Sequence, residues 1–244
     1  MSNEVDVVIR SKDGLLLDLM RTSPNLPLAK IRDAQMPQHA HKELVKLVQR
    51  LFLSGSNAQT VVFSGVECGS GCTFISTRTA EIIANQLGEP VCLVDANFRS
   101  PRINEQFQVE DQTSGRGSEE LTFMPVVTEY TQAKTSNLWL VVYRPEQTDC
   151  PRLASLDRFR NLIEDLRKDF TYIIIDAPPL IEYPDAALFA RMSDGLVMVL
   201  EANDTRRETA RKAKEMLDAS GVSVMGAVLN KRTFPIPETL YRRL

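Results

Sequence analysis

The sequence predicts a doubly wound α/β domain with a mostly parallel sheet and helices on both faces. Segments typical of strands alternate with segments typical of helices along most of the 244 residues, as in repeated βα units. The predicted strands are continuous apolar runs rather than alternating ones, which indicates burial on both faces. Two strands are followed directly by an acid, Asp95 and Asp176. In such a sheet the ligand site lies at the carboxyl ends of the strands.

Composition limits the classes of function. Apolar residues make up 43% and charged residues 25% of the chain, which is ordinary for a soluble domain. The net charge of −3 predicts no strong attraction to nucleic acid or to anionic lipid. No apolar run approaches the ~20 residues that span a bilayer, and the first ten residues show no secretion signal. We therefore expect a cytoplasmic protein that does not bind nucleic acid.

Three regions are predicted: an N-terminal extension over residues 1–40, the main domain over residues 41–232, and a C-terminal tail over residues 233–244. The extension contains the pattern of a short edge strand at Val5–Ile9 and of a short helix at Gly14–Met20. A helix is predicted over His41–Phe52, because apolar residues recur there at helical spacing. Its charged face is either solvated or in contact with another subunit.

The remaining elements alternate along the main domain. Strands are predicted over Thr60–Ser64, Val91–Val94, Leu138–Tyr143, Tyr172–Ile175, Gly195–Leu200 and Ser223–Leu229. Helices are predicted over Thr73–Leu87, Ile103–Phe107, Leu153–Leu166 and Thr205–Ser220. The segment Gln108–Ser118 is polar, contains two glycines, and predicts a loop.

A glycine-containing turn joins the first of these strands to the first helix after it. From Gly65 to Thr73 the chain runs G-V-E-C-G-S-G-C-T. A buried strand, a glycine-rich loop and a helix N-terminus are the layout of the P-loop, G-x-x-x-x-G-K-[ST], whose backbone N–H groups bind phosphate. Loop glycines and the hydroxyl of Thr73 are present, whereas Cys72 occupies the lysine position. The predicted nucleotide-binding residues are Gly69, Ser70, Gly71, Cys72 and Thr73.

The two strand-end acids complete the predicted site. Asp176 follows three isoleucines, which is the Walker B arrangement, and such an acid holds Mg²⁺ through water. Asp95 at its strand end would hold a metal-bound water or orient a nucleophile. For either acid alone, a turn or helix cap is the plainer interpretation. Together they predict a magnesium site of Thr73, Asp95 and Asp176, with Asp95 and Asp176 as the catalytic residues if the protein is active.

The cysteines do not predict a metal site. The chain has four of them, Cys68, Cys72, Cys92 and Cys150, and its two histidines lie far from the loop. Cys68 and Cys72 are four residues apart, which is not the spacing of a zinc site. A redox switch through this pair is a minor alternative.

These motifs resemble the cytoplasmic domain of bacterial tyrosine kinases (BY-kinases) of capsule and exopolysaccharide synthesis. Those kinases are relatives of the partition and septum-positioning deviant P-loop ATPases. The matching segments are Gly69–Thr73, Val94–Pro101, Ile175–Pro179, Pro184–Ala186 and Leu229–Arg232. The resemblance covers about residues 41–232. It implies a P-loop NTPase fold, ATP with Mg²⁺, tyrosine phosphorylation, and docking on the cytoplasmic end of a membrane polysaccharide chain-length or export protein.

The chain departs from this family within the phosphate site. Cys72 replaces the lysine that bridges the terminal phosphates, and a thiol is a weak donor whose thiolate would repel phosphate. A charge-assisted hydrogen bond contributes roughly 1.5–3 kcal/mol, so its loss predicts roughly ten- to a hundredfold weaker binding. Asn97 stands where the family has a second acid, and Glu67 adds a negative charge to the loop. Arg99 and Arg102 are candidates to contact phosphate or a neighbouring acid, with a solvated surface role as the alternative.

It departs elsewhere as well. The family's oligomerisation helix has the pattern E-x-x-R-x-x-R, and here Glu43 is followed by Lys46 and Gln49. The C-terminal tyrosine cluster of the family is absent, and only Tyr241 lies near the end. These departures weaken the expectation of ring formation through that helix, and they remove the usual substrate of tail phosphorylation.

The preferred hypothesis is a degenerate BY-kinase-like protein that regulates or scaffolds exopolysaccharide synthesis or export. It would bind ATP or ADP with Mg²⁺ weakly, or bind no cofactor, and homo-oligomerisation stays open. One alternative is a working ATPase or tyrosine kinase in which another cation replaces the lysine. A second is a partition-type positioning ATPase. That class normally has a further lysine early in the loop, and Gly65–Cys68 contains none.

Overall fold

The computed structural model describes residues 29–31, 36–54, 58–99, 102–109, 120–127, 137–144 and 153–232. The strands are β1 (Ala29–Ile31), β2 (Thr60–Gly65), β3 (Val91–Asp95), β4 (Phe107–Val109), β5 (Glu120–Val127), β6 (Leu138–Arg144), β7 (Tyr172–Ala177), β8 (Gly195–Glu201) and β9 (Val224–Asn230). The α-helices are α1 (Gln38–Val48), α2 (Cys72–Leu87), α3 (Ile103–Gln106), α4 (Leu153–Asp169), α5 (Asp185–Ala190) and α6 (Arg207–Ala219). Within these described ranges no helix has the length and apolarity to cross a bilayer.

The described strands form one sheet in the order β4-β1-β5-β6-β3-β7-β2-β8-β9. The six strands from β6 to β9 are parallel to one another. At the other side β5 runs antiparallel to β6, β1 is parallel to β5, and β4 is antiparallel to β1. The prediction of a mostly parallel sheet is confirmed.

Alternate residues of a central strand enter two different cores. In β7, Ile173 and Ile175 pack in the core that contains Phe159 of α4. Ile174 lies between them in sequence and packs in the opposite core with Ile83 of α2. All five side chains are almost fully buried. A strand covered on both sides needs an apolar residue at every position, which explains the continuous runs in the sequence. Helices on both faces are thereby confirmed.

The first helix begins earlier than predicted, at Gln38, and passes into a π-helical turn over Gln49–Leu53. Leu44, Val48 and Leu51 are buried, as the helical spacing predicts. The opposite face is charged and exposed, and its members Glu43 and Lys46 pair with each other at 2.7 Å.

The structure adds elements that the sequence did not predict and corrects the boundaries of several that it did. Strands β1, β4 and β5 and the short helix α5 are new. The helix expected to reach Phe107 ends at Gln106, and Phe107 begins β4. The loop predicted from Gln108 is therefore wrong at Gln108 and Val109, because this segment pairs antiparallel with β1 and buries Phe107. The rest of that loop, and the predicted elements before residue 29, lie outside the described residues.

Strand register brings the predicted site residues together. β7 pairs with β2 on one side and with β3 on the other. Asp95 and Asp176 are direct partners in the β3–β7 register. The loop that ends at Thr73 leaves β2 at this same edge. Three segments that are distant in sequence therefore meet at the carboxyl ends of parallel strands.

Candidate functional site

The loop between β2 and α2 has the backbone geometry of an anion cradle. Gly69 and Gly71 have φ angles of +88° and +82°, in the left-handed region that favours glycine. Gly71 caps α2, which begins at Cys72. The first N–H groups of a helix lack intrahelical partners and, with the helix dipole, attract anions.

The last strand holds the second half of this loop. Asn230 Nδ2 donates to the carbonyl oxygen of Ser70 at 2.9 Å. Lys231 follows with a φ of +55°, lines the cavity over the loop, and donates through Nζ to Glu201 Oε2 at 2.9 Å. The end of β9 therefore fixes the loop and places a cation at the cavity. The sequence did not predict either contact.

The hydroxyl of Thr73 and the carboxylate of Asp176 are in direct contact. Thr73 Oγ1 donates to Asp176 Oδ2 at 2.7 Å, and Asp176 is fully buried. Burial raises the pKa of Asp176 to about 7, and the charge of Asp95 adds to this rise. Hydrogen bonds from Thr73, Cys72 and Ser76 act in the opposite direction. The carboxyl therefore keeps its proton to a much higher pH than an ordinary aspartate does.

Two buried oxygens at this edge of the sheet lack partners. Asp176 Oδ1 and Asn97 Oδ1 accept no hydrogen bond from any described residue. An unpaired buried acceptor costs about 1–3 kcal/mol, and contact with a bound cation removes this cost. Carboxylate, amide and hydroxyl oxygens are the ligands that Mg²⁺ prefers. Within the described ranges no three His, Cys, Asp or Glu side chains could hold a metal ion by themselves, but magnesium sites in proteins typically use one or two carboxylates plus substrate phosphate and water. The residues present fit the predicted ion.

The raised pKa of Asp176 predicts that stability falls with pH. The folded protein keeps this proton up to about pH 7, whereas the unfolded chain releases it near 3.8. The free energy of unfolding should therefore decrease between about pH 4 and about pH 7 and level off above. We expect urea unfolding in a metal chelator to show this decrease in the wild type relative to Asp176→Asn. Parallel pH profiles of the two proteins would contradict it.

The side chain at the lysine position is a buried, neutral thiol. Cys72 is only 8% exposed. Burial raises the pKa of Cys72 well above its usual range, and the charge of Asp176 and a hydrogen bond to it act in the same direction. The repulsive thiolate considered from the sequence therefore does not form at neutral pH. Cys72 nevertheless supplies no positive charge. Cys68, which lies earlier in the same loop, is an exposed free thiol.

The segment after β7 forms backbone hydrogen bonds to the first half of the loop. Leu180 N donates to the carbonyl of Gly65 at 2.9 Å, and Ile181 N donates to the carbonyl of Val66 at 3.2 Å. We call residues 178–182 the strap. Because it continues directly from the Walker B strand, the strap links the metal-site acid to the loop.

A carboxylate on the strap contacts the loop itself. Glu182 Oε1 accepts a hydrogen bond from the backbone N–H of Cys68 at 3.0 Å. Glu67, the neighbouring loop residue, lines the cavity. Glu67 could be picked out from the sequence as an acid within the loop. Glu182 could not, since no local pattern reveals a contact between residues 114 positions apart. The first half of the loop thus carries one acid, Glu67, and is bonded to a second acid on the strap, Glu182.

The two arginines singled out from the sequence have different surroundings. Arg99 Nε lies 3.4 Å from Asp185 Oδ2, and its guanidinium packs 5.2 Å from the ring centres of Phe98 and Tyr183. It therefore contacts a neighbouring acid, which is one of the predicted outcomes. Arg102 is exposed and lines the cavity over the loop.

That cavity has a volume of about 220 Å³ and is lined by every loop residue except Val66, together with Asn97, Arg102 and Lys231. A larger cavity of about 530 Å³ lies between α4 and α5, against Ile163 and Met192. It contains none of the predicted site residues, so the smaller cavity is the candidate site. The loop, the strand-end acids and the sheet order together define a P-loop NTPase domain.

Comparison with known proteins places the chain within this class. A family model described as ParA, NUBPL iron-transfer P-loop NTPase, matches residues 56–242. The chain belongs to this ParA-type family of P-loop NTPases.

Curated relatives and solved structures extend the comparison. The chain is 24% identical over 214 residues to the putative tyrosine-protein kinase CapB of Staphylococcus aureus, covering 84% of this chain and 93% of the relative. It is 27% identical over 208 residues to the tyrosine-protein kinase CpsD of Streptococcus agalactiae, covering 83% and 87%. The kinase domain of the Escherichia coli tyrosine kinase ETK has the same fold, with a TM-score of 0.62, 21% identity, and coverage of 81% of this chain and 78% of that one. The resemblance to tyrosine kinases is thus confirmed.

Proposed function

We propose that the chain is a degenerate BY-kinase-like protein that regulates or scaffolds capsule or exopolysaccharide synthesis or export. The relatives named above are tyrosine-protein kinases that the chain matches over most of its length. The observation that carries the proposal is the buried, neutral thiol of Cys72 at the position of the phosphate-bridging lysine. With Cys72 the loop keeps its phosphate-binding shape but lacks the positive charge of the lysine.

The remaining site residues would bind nucleotide weakly. Backbone N–H groups of Gly69, Ser70, Gly71, Cys72 and Thr73 would contact the phosphates. Phosphoryl transfer depends on positioning and on stabilising the charge of the transferring group. The missing lysine charge should therefore reduce turnover at least as much as binding.

The metal site is retained in this proposal. Thr73, Asp95 and Asp176 would hold Mg²⁺, with Asn97 as a further oxygen donor. When bound, the ion supplies positive charge that neutralises the phosphates. In an active protein, Asp95 and Asp176 would be the catalytic residues.

The proposed place of action is the cytoplasm, at the inner face of the membrane. The partner would be the cytoplasmic end of a membrane polysaccharide chain-length or export protein, as the resemblance to BY-kinases implies. A second copy of the chain is the other candidate partner. It would contact the exposed charged face of α1 and the π-helical turn that follows it, where Lys46 and Gln49 stand in place of the family's arginines.

An active kinase or ATPase is the second candidate, because two cations line the cavity. Arg102 and Lys231 both border the loop. Lys231 pairs with Glu201 in a salt bridge whose lysine side chain is 48% exposed, and exposed pairs contribute only about 0–1 kcal/mol. Breaking this salt bridge would therefore cost little, and Lys231 could turn toward a bound phosphate.

Phosphate release from ATP in the presence of Mg²⁺ tests the proposal. We expect the purified wild type to release phosphate no faster than Asp176→Asn, because neither protein should stabilise the transferring group. Metal-dependent turnover that Asp95→Asn and Asp176→Asn abolish would contradict it. If Lys231→Met also abolished that turnover while Lys214→Met did not, the compensating cation would be Lys231.

A further inference from the structure

We infer that Glu67 and Glu182 make the loop select against a terminal phosphate, so that the ligand of this site is a nucleoside diphosphate rather than a triphosphate. The inference rests on the proposed function in one respect, which is that the cradle binds nucleotide at all.

The half of the loop next to α2 keeps the features that bind phosphate. Gly71 and Cys72 form the start of the helix, and Thr73 directs its hydroxyl at Asp176. No acidic residue occurs in the first turn of α2. The N–H groups and the helix dipole at this end are sufficient to hold anions. This half is therefore suited to the phosphates nearest the nucleoside.

The other half carries negative charge and a donor that is already used. Glu67 lines the cavity. The backbone N–H of Cys68 donates to Glu182 Oε1 at 3.0 Å. Because the strap is itself bonded to Gly65, this carboxylate is held against the loop. A phosphate at this half would meet the carboxylate of Glu67 in the cavity lining. The Cys68 N–H that could donate to it is already bonded to Glu182, which is exposed and lies outside the cavity lining.

The terminal phosphate is the one that would lie there. A phosphate chain bound at the N-terminus of α2, with its metal ion held by Asp95 and Asp176, would extend toward the carboxyl ends of β3 and β7. The strap begins where β7 ends, and it carries Glu182. ATP has one phosphate and about one negative charge more than ADP, both at this end. In the P-loop pattern a lysine reaches the β- and γ-phosphates, and Cys72 does not.

The size of the effect follows from Coulomb's law. Like charges several ångströms apart in a partly solvated cleft repel each other enough to change affinity by about three- to tenfold. The effect should fall on ATP and largely spare ADP, whose last phosphate lies one position further from the two acids.

The experiment compares charge-neutralised variants. Dissociation constants of Mg²⁺-ATP and Mg²⁺-ADP are measured by calorimetry for Glu67→Gln and Glu182→Gln, each in the wild-type and in the Cys72→Lys background, where binding should be strong enough to quantify. The control is Glu208→Gln, the same charge change at an exposed position on α6. We expect each loop variant to raise ATP affinity about three- to tenfold and ADP affinity less than twofold, and the control to change neither. In the wild-type loop ADP should bind more tightly than ATP.

A glutamine at position 182 keeps an oxygen that accepts the Cys68 N–H, so Glu182→Gln separates charge from loop order. If Glu182→Ala shifted the ATP-to-ADP ratio and Glu182→Gln did not, the inference would be wrong. An unchanged ratio in both glutamine variants would also overturn it, and so would the absence of nucleotide binding in every variant. Turnover of ATP by the wild type would contradict the proposed function. The ratio of ATP to ADP affinity would still test the role of Glu67 and Glu182.

Discussion

Cys72→Lys is expected to raise the affinity for Mg²⁺-ATP by about ten- to a hundredfold. Residue 72 is the first residue of α2 and lines the cavity. A lysine there can reach bound phosphates and form a charge-assisted hydrogen bond, which contributes roughly 1.5–3 kcal/mol. The thiol that it replaces is buried and neutral, so no repulsion is removed. The whole gain should come from the added positive charge.

The control for Cys72→Lys is Cys72→Met, which adds a long side chain without charge. Calorimetric titration of both variants with Mg²⁺-ATP separates the two contributions, and thermal unfolding checks that each protein folds. Equal affinities for the lysine and methionine variants would show that charge at this position does not limit binding. The low affinity of the site would then need another cause, with Glu67 the first candidate.

Gly71→Ala is expected to destabilise the protein by about 2–4 kcal/mol and to abolish binding by the cradle. The residue has a φ of +82°, which costs an L-residue about 1–2 kcal/mol. Its Cβ would also lie 2.3 Å from Asn230 Nδ2, the atom that donates to Ser70 O. The amide would have to move, and the bond that holds the second half of the loop would break.

Gly69→Ala provides the matched control, because the chain offers a second loop glycine without the contact. Gly69 has a φ of +88°, but its Cβ would meet nothing within 4 Å. We expect Gly69→Ala to lower the free energy of unfolding only by the cost of a positive φ in an L-residue, about 1–2 kcal/mol. Urea unfolding measures this change. In the Cys72→Lys background, Gly69→Ala should retain nucleotide binding and Gly71→Ala should not. Equal losses for the two glycines would exclude a role for Asn230.

The central part of the fold could be predicted because buried parallel strands leave a strong signal. Ile173, Ile174 and Ile175 all face apolar neighbours, so the run is continuous and its end at Asp176 is clear. Strand β5 has no such signal. It contains Pro125, which lacks an N–H group and is unfavourable in a strand interior, and it pairs antiparallel with β6. Helix α5 has six residues, too few for a helical period to appear.

The candidate site was predictable only where topology determines it. Asp95 and Asp176 end adjacent strands in a parallel sheet, so their proximity follows from the element order. The contacts of Asn230 and Glu182 with the loop span 160 and 114 positions. These contacts depend on how the loop packs against the end of β9 and against the strap. No local sequence pattern contains that information. The neutrality of Cys72 likewise depends on burial beside Asp176.

Titration of the wild-type protein with Mg²⁺-ATP by calorimetry tests the central claim most directly. The claim is that Cys72 leaves the cradle without the charge that tight nucleotide binding needs. It predicts no binding heat at micromolar nucleotide for the wild type, alongside clear binding by Cys72→Lys. Micromolar affinity of the wild type would contradict it, and would mean that Arg102 or Lys231 has replaced the lysine.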